Sequence, residues 1–349
     1  MKFNSLSRVR IASLPTPIQP LPKLTKELGG PKLWIKRDDL TGLAFGGNKA
    51  RKLEYLMADA LNKKADYIVT GAGFHSNWCT QTVAAAKKLG MNIKLVKSGP
   101  ENGYDAKEWD GNHLLHHLMG ADIKVVKPED FMPSIEKAMN ELRNNGNNPY
   151  YIPVGGSVPL GAAGYLNAML EITYQSASEG IQYDYLIHAT GSGGTQAGLV
   201  MGAKAFNTNI NVIGSAVGWG EKREQVEKVS KIIEESMKEF ELDFNYTSND
   251  VVIYNEYVGG GYGHVSEQKL EAVKIMAQTE GIVIDPVYTA TAMACLIDLV
   301  RKGELTKDHN ILFLHTGGAV ALYPYKEPIK AYIQEKQLPW EIPEWAPSH

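Results

Sequence analysis

A glycine-rich segment at residues 185–198 has the pattern of an anion site. An apolar run at its start predicts a strand, and a helical pattern follows, so the bare N–H groups of Gly191, Ser192, Gly193, Gly194 and Thr195 would meet at a helix N-terminus. The segment lacks the lysine of a nucleoside-triphosphate loop, and Gln196 stands where a dinucleotide fingerprint requires a glycine. We therefore expect a phosphate-bearing cofactor smaller than a dinucleotide.

Lys49 is the candidate nucleophile. It follows Gly46, Gly47 and Asn48, and Asn48 suits the N-cap of a helix that Lys49 would open. The positive end of a helix dipole lowers the pKa of an ammonium, and imine-forming enzymes use the neutral amine of lysine. Taken alone, a lysine beside arginine and glutamate on a helix is more often a solvated surface charge. Beside a phosphate loop, it completes the minimum equipment for pyridoxal phosphate.

A second loop, Gly71 to Trp78, lies between a predicted strand and a predicted helix. The Ser76 hydroxyl, the Asn77 amide and the free N–H groups of the loop could hold a carboxylate or a cofactor oxygen. In the competing interpretation, Ser76 and Asn77 only cap the helix.

Hydroxyl groups in three later loops could supply acid–base chemistry or contact a pyridine ring. They belong to Tyr262, Tyr288, Thr289 and Thr316. The tyrosines could instead be packing residues, which is the commoner role of tyrosine. Two other features are weaker: His113, His116 and His117 lack the acid of a metalloprotease motif, and Cys79 has no evident base, so we expect neither a metal site nor thiol catalysis.

The elements that must position these residues alternate along the chain. Apolar runs predict strands at 32–36, 67–70, 93–96, 123–126, 150–154, 185–189, 212–217, 251–254 and 311–315. Helical patterns at 52–61, 80–89, 161–176 and 266–279 lie between them. This alternation predicts an α/β protein with mostly parallel sheets covered by helices, and ligands of such sheets bind at the carboxyl ends of strands. The stretch 143–149 is expected to be a surface turn, and the tail after Pro339 to be irregular.

Composition excludes several classes of protein. The 349 residues are 44% hydrophobic and 21% charged, with a net charge of −3 and no basic stripe, which argues against disorder and against nucleic-acid binding. Two cysteines exclude a disulfide framework and suit a reducing compartment. We see no signal peptide and no apolar run of the ~18 residues that a membrane span needs. We therefore expect a cytoplasmic protein with small-molecule partners and no membrane contact.

Six segments together resemble the D-cysteine desulfhydrase and 1-aminocyclopropane-1-carboxylate deaminase family. They are residues 35–42, 46–54, 75–77, 191–195, 285–289 and 313–318. The resemblance covers about Leu14 to Tyr325 and implies a two-domain fold-type-II pyridoxal phosphate enzyme of the tryptophan-synthase-β kind, usually a homodimer. We expect a large cofactor-binding domain at residues 1–51 and 165–349 and a small inserted α/β domain at 52–164.

The resemblance also implies roles for individual residues. Lys49 would bind the cofactor covalently, Asn77 would support its phenolic oxygen, the loop at 191–195 would hold its phosphate, and Thr316 would face its ring nitrogen. The substrate carboxylate would be received by Ser76, Asn77 and the backbone of Trp78. The substrate side would be lined by Tyr262, Tyr288 and Thr289, with Lys49, Ser76, Tyr288 and Tyr262 as the catalytic set.

The substrate is argued from two positions. Cyclopropane-opening members of the family carry Glu after the tyrosine that matches Tyr288 and Leu before the Gly-Gly pair, where this sequence has Thr289 and Thr316. A hydroxyl holds a ring nitrogen protonated less well than a carboxylate does, which favours β-elimination over chemistry that needs an extended carbanion. The sequence therefore favours D-cysteine, with pyruvate, ammonia and sulfide as products. L-cysteate, which would release sulfite, is a rival substrate because members acting on it share the segments at 189–200 and 257–263.

Two functions of other classes remain open. A nucleotide-dependent oxidoreductase would use the Gly191 loop, although the third glycine and a ribose-binding acid are missing. A non-catalytic binding protein could keep the same fold, because fold alone does not determine function.

Overall fold

Two β-sheets organise the chain in the computed structural model, which describes residues 2–99, 107, 109–218 and 220–336. The strands are β1 (Ile18–Pro20), β2 (Lys32–Lys36), β3 (Tyr67–Gly73), β4 (Asn92–Ser98), β5 (Asp122–Val126), β6 (Pro149–Tyr151), β7 (Tyr185–Thr190), β8 (Asn211–Ala216), β9 (Val252–Tyr254) and β10 (Asn310–Leu314). The larger sheet has the order β1-β2-β10-β7-β8-β9, and the smaller has the order β5-β4-β3-β6. All pairs are parallel except β1 with β2.

Helices cover both sheets. They are α1 (Pro22–Leu28), α2 (Lys49–Asn62), α3 (Asn77–Lys88), α4 (Gly111–Leu118), α5 (Phe131–Asn144), α6 (Pro159–Glu179), α7 (Gly194–Ala205), α8 (Lys222–Phe240), α9 (Glu267–Glu280), α10 (Thr289–Arg301) and α11 (Lys326–Ile333). The long helix α6 packs against both α2 and α7. Within the described residues, no helix is both long and apolar enough to cross a bilayer.

Both faces of each sheet are buried at the central strands, which explains why those strands are largely apolar, whereas the edge strand β5 is mostly exposed. In the larger sheet, Leu186 faces one hydrophobic core and its neighbour Ile187 faces another. In the smaller sheet, Ile68 likewise faces one hydrophobic core and its neighbour Val69 faces another. Successive side chains of a strand point to opposite faces, so a strand covered by helices on both sides needs apolar residues at every position.

The predicted α/β class is confirmed, and each predicted strand and helix has a counterpart. The edge strand β1 was not predicted, since three residues that include Pro20 carry too little apolar pattern. The stretch expected to be a turn begins inside α5, which continues to Asn144. All strands of the smaller sheet lie within the segment 52–164, while the division into domains at those exact residues stays a prediction. The tail after Pro339 lies outside the described residues.

A buried network of charges joins β2, α2 and α6. The Arg51 guanidinium donates to both oxygens of Asp38 at 2.8 Å and to both oxygens of Glu171 at 2.9 Å. Lys36 donates to Glu171 at 2.5 Å, and the Tyr165 hydroxyl donates to Asp38 at 2.5 Å. The Arg51 charge opposes the effect of burial and holds the pKa of the Asp38 carboxyl below its usual value. Arg51 therefore anchors the helix that Lys49 begins.

We expect Arg51→Met to destabilise the protein strongly. Removing one partner from a buried, fully hydrogen-bonded ion network leaves uncompensated charge, which costs about 3 kcal/mol or more. Urea denaturation followed by circular dichroism measures the loss. Arg223→Met is the matched control, because Arg223 pairs with Glu227 on the exposed face of α8. Equal denaturation midpoints for the two variants would contradict this role of Arg51.

Candidate active site

A cavity of about 990 Å³ opens between the two sheets, at the carboxyl ends of their strands. Its wall includes the ends of β3 and β4 from the smaller sheet and of β7 from the larger. The predicted site residues that line it are Lys49, Ser76, Asn77, Trp78, Gly191, Ser192, Gly193, Thr195, Tyr262, Tyr288 and Thr316. Gly194 and Thr289 lie behind the wall. Residues that are far apart in sequence thus share one concave site, as expected of ligand sites in α/β proteins.

Lys49 lies in the wall of this cavity as the first residue of α2. Burial lowers the pKa of its ammonium to about 8. The sequence predicted this direction from the helix dipole, whereas the structure assigns it to the removal of the amine from water. An amine with this pKa is mostly protonated near neutral pH but has a far larger neutral fraction than an ordinary lysine, and the neutral form attacks a carbonyl carbon.

Hydrogen bonds from both sheets hold the start of α2. The Asn48 N–H donates to the Thr316 carbonyl at 3.0 Å, and the Asn48 side-chain amide donates to the Thr195 hydroxyl at 3.0 Å. Asn48 occupies the predicted N-cap position, but its side chain does not cap the helix. Instead Gln81 of α3 accepts from the Ala50 N–H at 2.8 Å and donates to the Gly46 carbonyl. These contacts fix the position of Lys49 at the start of α2.

The loop at 191–195 forms a concave cup in which a side chain on Gly194 would not fit. Gly193 adopts φ 90°, and the Gly194 N–H donates to the Ser157 hydroxyl at 3.1 Å, which in turn donates to the Ser192 hydroxyl at 2.7 Å. A Cβ atom on Gly194 would lie only 2.8 Å from the Ser157 oxygen. Glycine is therefore required at this point, and the first turn of α7 presents backbone donors to an anion.

Lys52 is a candidate site residue that the sequence patterns did not reveal, and it is not among the residues that line the cavity. Its side chain is fully buried, and its ammonium donates to the Gly155 carbonyl at 3.1 Å. Within the described residues it forms no ion pair, and it lies 3.0 Å from where a Cβ atom on Gly194 would be. Burial, and then the charge of Lys49, lower its pKa. A buried cation without a carboxylate partner beside a cup of N–H donors fits a phosphate group. The spacing between Lys49 and Lys52 could have revealed this residue, because residues three apart share a helix face.

The start of α3 offers a second group of backbone donors that would suit an anion. Ser76 occupies the N-cap position, but its side chain does not cap the helix, so the N–H groups of the first turn stay available. Asn77 lies in the cavity wall. The Trp78 indole is buried and donates to the Thr70 hydroxyl at 2.9 Å, which leaves its backbone near the cavity. Burial raises the pKa of the neighbouring Cys79 thiol to about 11, so this thiol is protonated.

Two tyrosines converge on the opposite wall. The hydroxyl groups of Tyr262 and Tyr288 are hydrogen-bonded to each other. Burial raises the pKa of Tyr288, so its hydroxyl keeps its proton. The expected substrate contact of Thr289 is corrected: this side chain is fully buried, and its hydroxyl donates to the Asp285 carboxylate at 2.6 Å. Asp285 also accepts from the Tyr288 N–H, so this pair shapes the turn that presents Tyr288.

The cavity offers hydroxyl groups rather than carboxylates near its base. Thr316 lines the wall, and its carbonyl accepts from the Asn48 N–H. Among the described lining residues, the single carboxylate belongs to Glu235, an exposed residue 3.9 Å from Lys231 on α8. A ring nitrogen placed beside Thr316 would therefore meet a neutral partner.

Comparisons with known proteins agree with this geometry. The model of a family described as pyridoxal-phosphate-dependent enzymes matches residues 9–317. A Pyrococcus furiosus protein named as a candidate 1-aminocyclopropane-1-carboxylate deaminase is 40% identical over 336 residues, covering 95% of this chain and 98% of that one. The 1-aminocyclopropane-1-carboxylate deaminase of Burkholderia multivorans is 39% identical over 334 residues, covering 93% and 98%.

Solved structures show the same fold. A crystal structure of a homologue of that deaminase has a TM-score of 0.86 and 39% identity, and the match covers 95% of this chain and 99% of the other. The processed form of threonine deaminase isoform 2 from Solanum lycopersicum has a TM-score of 0.62 at 16% identity, covering 88% and 80%, which is a likeness of fold alone. The predicted fold-type-II architecture is therefore confirmed.

We expect Lys52→Met to weaken the binding of pyridoxal 5'-phosphate by about tenfold or more, because a charge-assisted hydrogen bond contributes ~1.5–3 kcal/mol. The same change should stabilise the apoprotein, since it removes a buried charge that has no carboxylate partner. Thermal unfolding with pyridoxal 5'-phosphate and with phosphate-free pyridoxal separates the two effects.

Lys87→Met, on the exposed face of α3, serves as the control. For each protein, the difference between the rise in Tm caused by pyridoxal 5'-phosphate and the rise caused by pyridoxal measures the contribution of the phosphate. The assignment of Lys52 fails if this difference is the same for Lys52→Met and for the wild type.

Proposed function

Because the chain belongs to the family of pyridoxal-phosphate-dependent enzymes, we propose that it is a lyase that eliminates the β-substituent of a small amino acid and releases its nitrogen as ammonia. Bound pyridoxal phosphate withdraws electrons from the Cα of an attached amino acid, which makes the Cα proton acidic. The protein must hold the cofactor, orient the amino acid and move protons.

The two anion sites suit the two negatively charged groups that the reaction brings together. The cofactor phosphate fits the cup of Gly191 to Thr195 with Ser157 and Lys52, because N–H donors, a hydroxyl and a buried cation converge there. The substrate carboxylate fits the start of α3, where the first-turn N–H groups and the Ser76 hydroxyl face the cavity. Lys49 lines the same cavity and is the residue that would bind the cofactor covalently.

Proton transfer is assigned to Lys49 and the tyrosine pair. The Lys49 amine would be the group that accepts the Cα proton, since its pKa of about 8 lies close to neutral pH. The Tyr288 hydroxyl keeps its proton because burial raises its pKa, and its bond to Tyr262 orients it. It is therefore suited to donate to a leaving group rather than to act as a base.

The observation that carries the choice of substrate is Thr316. A threonine in the cavity wall, with no carboxylate beside it among the described lining residues, supports a ring nitrogen that stays unprotonated. Charge at Cα is then best passed at once to a leaving group on Cβ. D-cysteine fits this chemistry: with one water molecule it gives pyruvate, ammonia and hydrogen sulfide.

Ring opening of 1-aminocyclopropane-1-carboxylate is the second candidate, and it is favoured by the names of the relatives that are about 40% identical. L-cysteate is a further alternative, for which Lys228 and Lys231 in the cavity wall offer positive charge to a sulfonate. We also propose that the enzyme acts as a cytoplasmic homodimer, and both of these properties stay predictions.

A substrate panel tests the proposed function. We expect the holoenzyme to release pyruvate from D-cysteine faster than from L-cysteine, L-cysteate or D-serine, and to release little 2-oxobutyrate from 1-aminocyclopropane-1-carboxylate. A coupled dehydrogenase assay detects both products, and Lys49→Ala provides the inactive control. Faster 2-oxobutyrate release would establish the second candidate. Bound cofactor without turnover of any compound would indicate a non-catalytic binding protein.

The tyrosine pair gives a separate prediction. We expect Tyr288→Phe to lower kcat by about 100-fold with little change in KM, because it removes a proton donor and keeps the shape of the wall. Steady-state kinetics on the best substrate of the panel measures the change. Tyr257→Phe is the control, since the Tyr257 hydroxyl donates to Asp298 outside the cavity wall. Equal kcat values for the two variants would remove Tyr288 from the mechanism.

A further inference from the structure

A line of buried polar groups leads from Asn77 away from the cavity. It runs through Asn112 of α4, Thr80 of α3 and His116 of α4 to Lys97 of β4. Asn112, Thr80, His116 and Lys97 are each 3% exposed or less, and none of them lines the cavity. A buried polar group lowers the stability of the fold unless it is hydrogen-bonded, so four linked buried polar groups call for a functional explanation.

The orientation of the Asn112 amide is determined by a backbone group. Its nitrogen lies 2.9 Å from the His75 carbonyl, which can only accept, so this end must be the NH₂ group. The same nitrogen donates to the Asn77 side-chain oxygen at 2.9 Å. Because the Asn77 oxygen is thus occupied as an acceptor, the NH₂ group of Asn77 must point the other way. That group has no hydrogen-bond partner within the described residues, and Asn77 lines the cavity. A Cβ atom on Gly318 would lie 2.7 Å from the Asn77 nitrogen and 2.9 Å from the Asp285 carboxylate.

The remaining directions follow from donor capacity. The Asn112 oxygen accepts from the Thr80 hydroxyl at 2.7 Å, which uses the only hydrogen that Thr80 has. His116 Nε2, 2.9 Å from the Thr80 oxygen, must therefore carry a hydrogen and donate it. In a neutral imidazole the other nitrogen then accepts, and His116 Nδ1 lies 3.3 Å from the Lys97 ammonium, which only donates. Each member donates toward Asn77.

Lys97 is a buried cation at the far end of the line. Its ammonium lies 3.8 Å from the centre of the Phe74 ring and 2.9 Å from His113 Nδ1, and it forms no ion pair within the described part of the chain. The titratable groups that face it are the Cys79 thiol from α3, the His75 imidazole from the loop before α3, and the imidazoles of His113, His116 and His117 from α4. Hydrogen bonds arranged head to tail polarise one another, so a cation at one end strengthens the donor at the other.

We propose that Asn112, Thr80, His116 and Lys97 form a positioning relay that holds the Asn77 amide as a hydrogen-bond donor to an anionic oxygen in the cavity. This oxygen is either the ring oxygen of the bound cofactor or the substrate carboxylate. The inference deepens the proposed function and rests on it only for the identity of the bound amino acid.

Thr80→Val tests the relay, because it removes one buried hydroxyl and keeps the shape of the side chain. Thr80→Ser should restore the wild-type properties. Thr82→Val is the matched control, since Thr82 is equally buried on the same helix and its hydroxyl donates only to the Trp78 carbonyl. Asn112→Asp is the sharper variant, because a carboxylate at this position accepts from Asn77, turns its amide over and presents the carbonyl to the cavity.

Two readouts identify the acceptor. If Asn77 donates to the cofactor, Thr80→Val and Asn112→Asp should raise the pH midpoint of the bound cofactor's absorbance change by about 0.5–1 unit, because a donor stabilises the form with the more negative oxygen. If it donates to the substrate, KM should rise about three- to tenfold with kcat unchanged. Either result supports the relay.

The relay is overturned if Thr80→Val matches Thr82→Val in both the pH midpoint and KM, or if Thr80→Ser fails to restore them. The serine and valine pair decides the question even if Asn112→Asp does not fold. Should no compound of the panel be turned over, the proposed function fails, and the absorbance titration alone decides the relay.

Discussion

Three cations in the first turn of one helix set the main constraint on this molecule. Lys49, Arg51 and Lys52 lie where the helix dipole is already positive, so each needs a separate means of tolerating its charge. Arg51 is neutralised by Asp38 and Glu171 inside the protein. Burial lowers the pKa of both lysines, and no ion pair within the described residues compensates them. The start of the helix is therefore anchored through Arg51, while its two lysines are left without a carboxylate partner.

The two sheets contribute different halves of the chemistry. Loops of the larger sheet supply the proposed phosphate cup, the tyrosines and Thr316, while the smaller sheet supplies the proposed carboxylate site at the start of α3. Glycine is also essential where the loop after β10 meets the segment before α2: a Cβ atom on Gly317 would lie 2.6 Å from the Gly47 backbone. The small-residue loops that follow the strands are thus required by backbone contact as well as by ligand binding.

The sequence predicted the fold because buried parallel strands are apolar at every position and stand out from the helices between them. It led to Lys49 and to the loop at 191–195 as candidates because both lie next to local signals, a helix start and a glycine run, and their roles stay predictions. Lys52, Ser157 and Gln81 were missed because their importance comes from contacts with distant segments. Thr289 was placed in the substrate wall from its neighbour in sequence, but helix geometry turns it toward Asp285. Local pattern shows which residues are present, whereas packing decides which way they face.

Gln81 links the start of α2 to α3. A single side chain of α3 bonds both the Ala50 N–H and the Gly46 carbonyl, on either side of the reactive lysine. The helix whose start would receive the substrate carboxylate is thereby tied directly to the helix whose start carries the amine, with no flexible loop between them. The spacing between the amine and the start of α3 is therefore set by side-chain hydrogen bonds of one glutamine rather than by the loops that lead to the two helices.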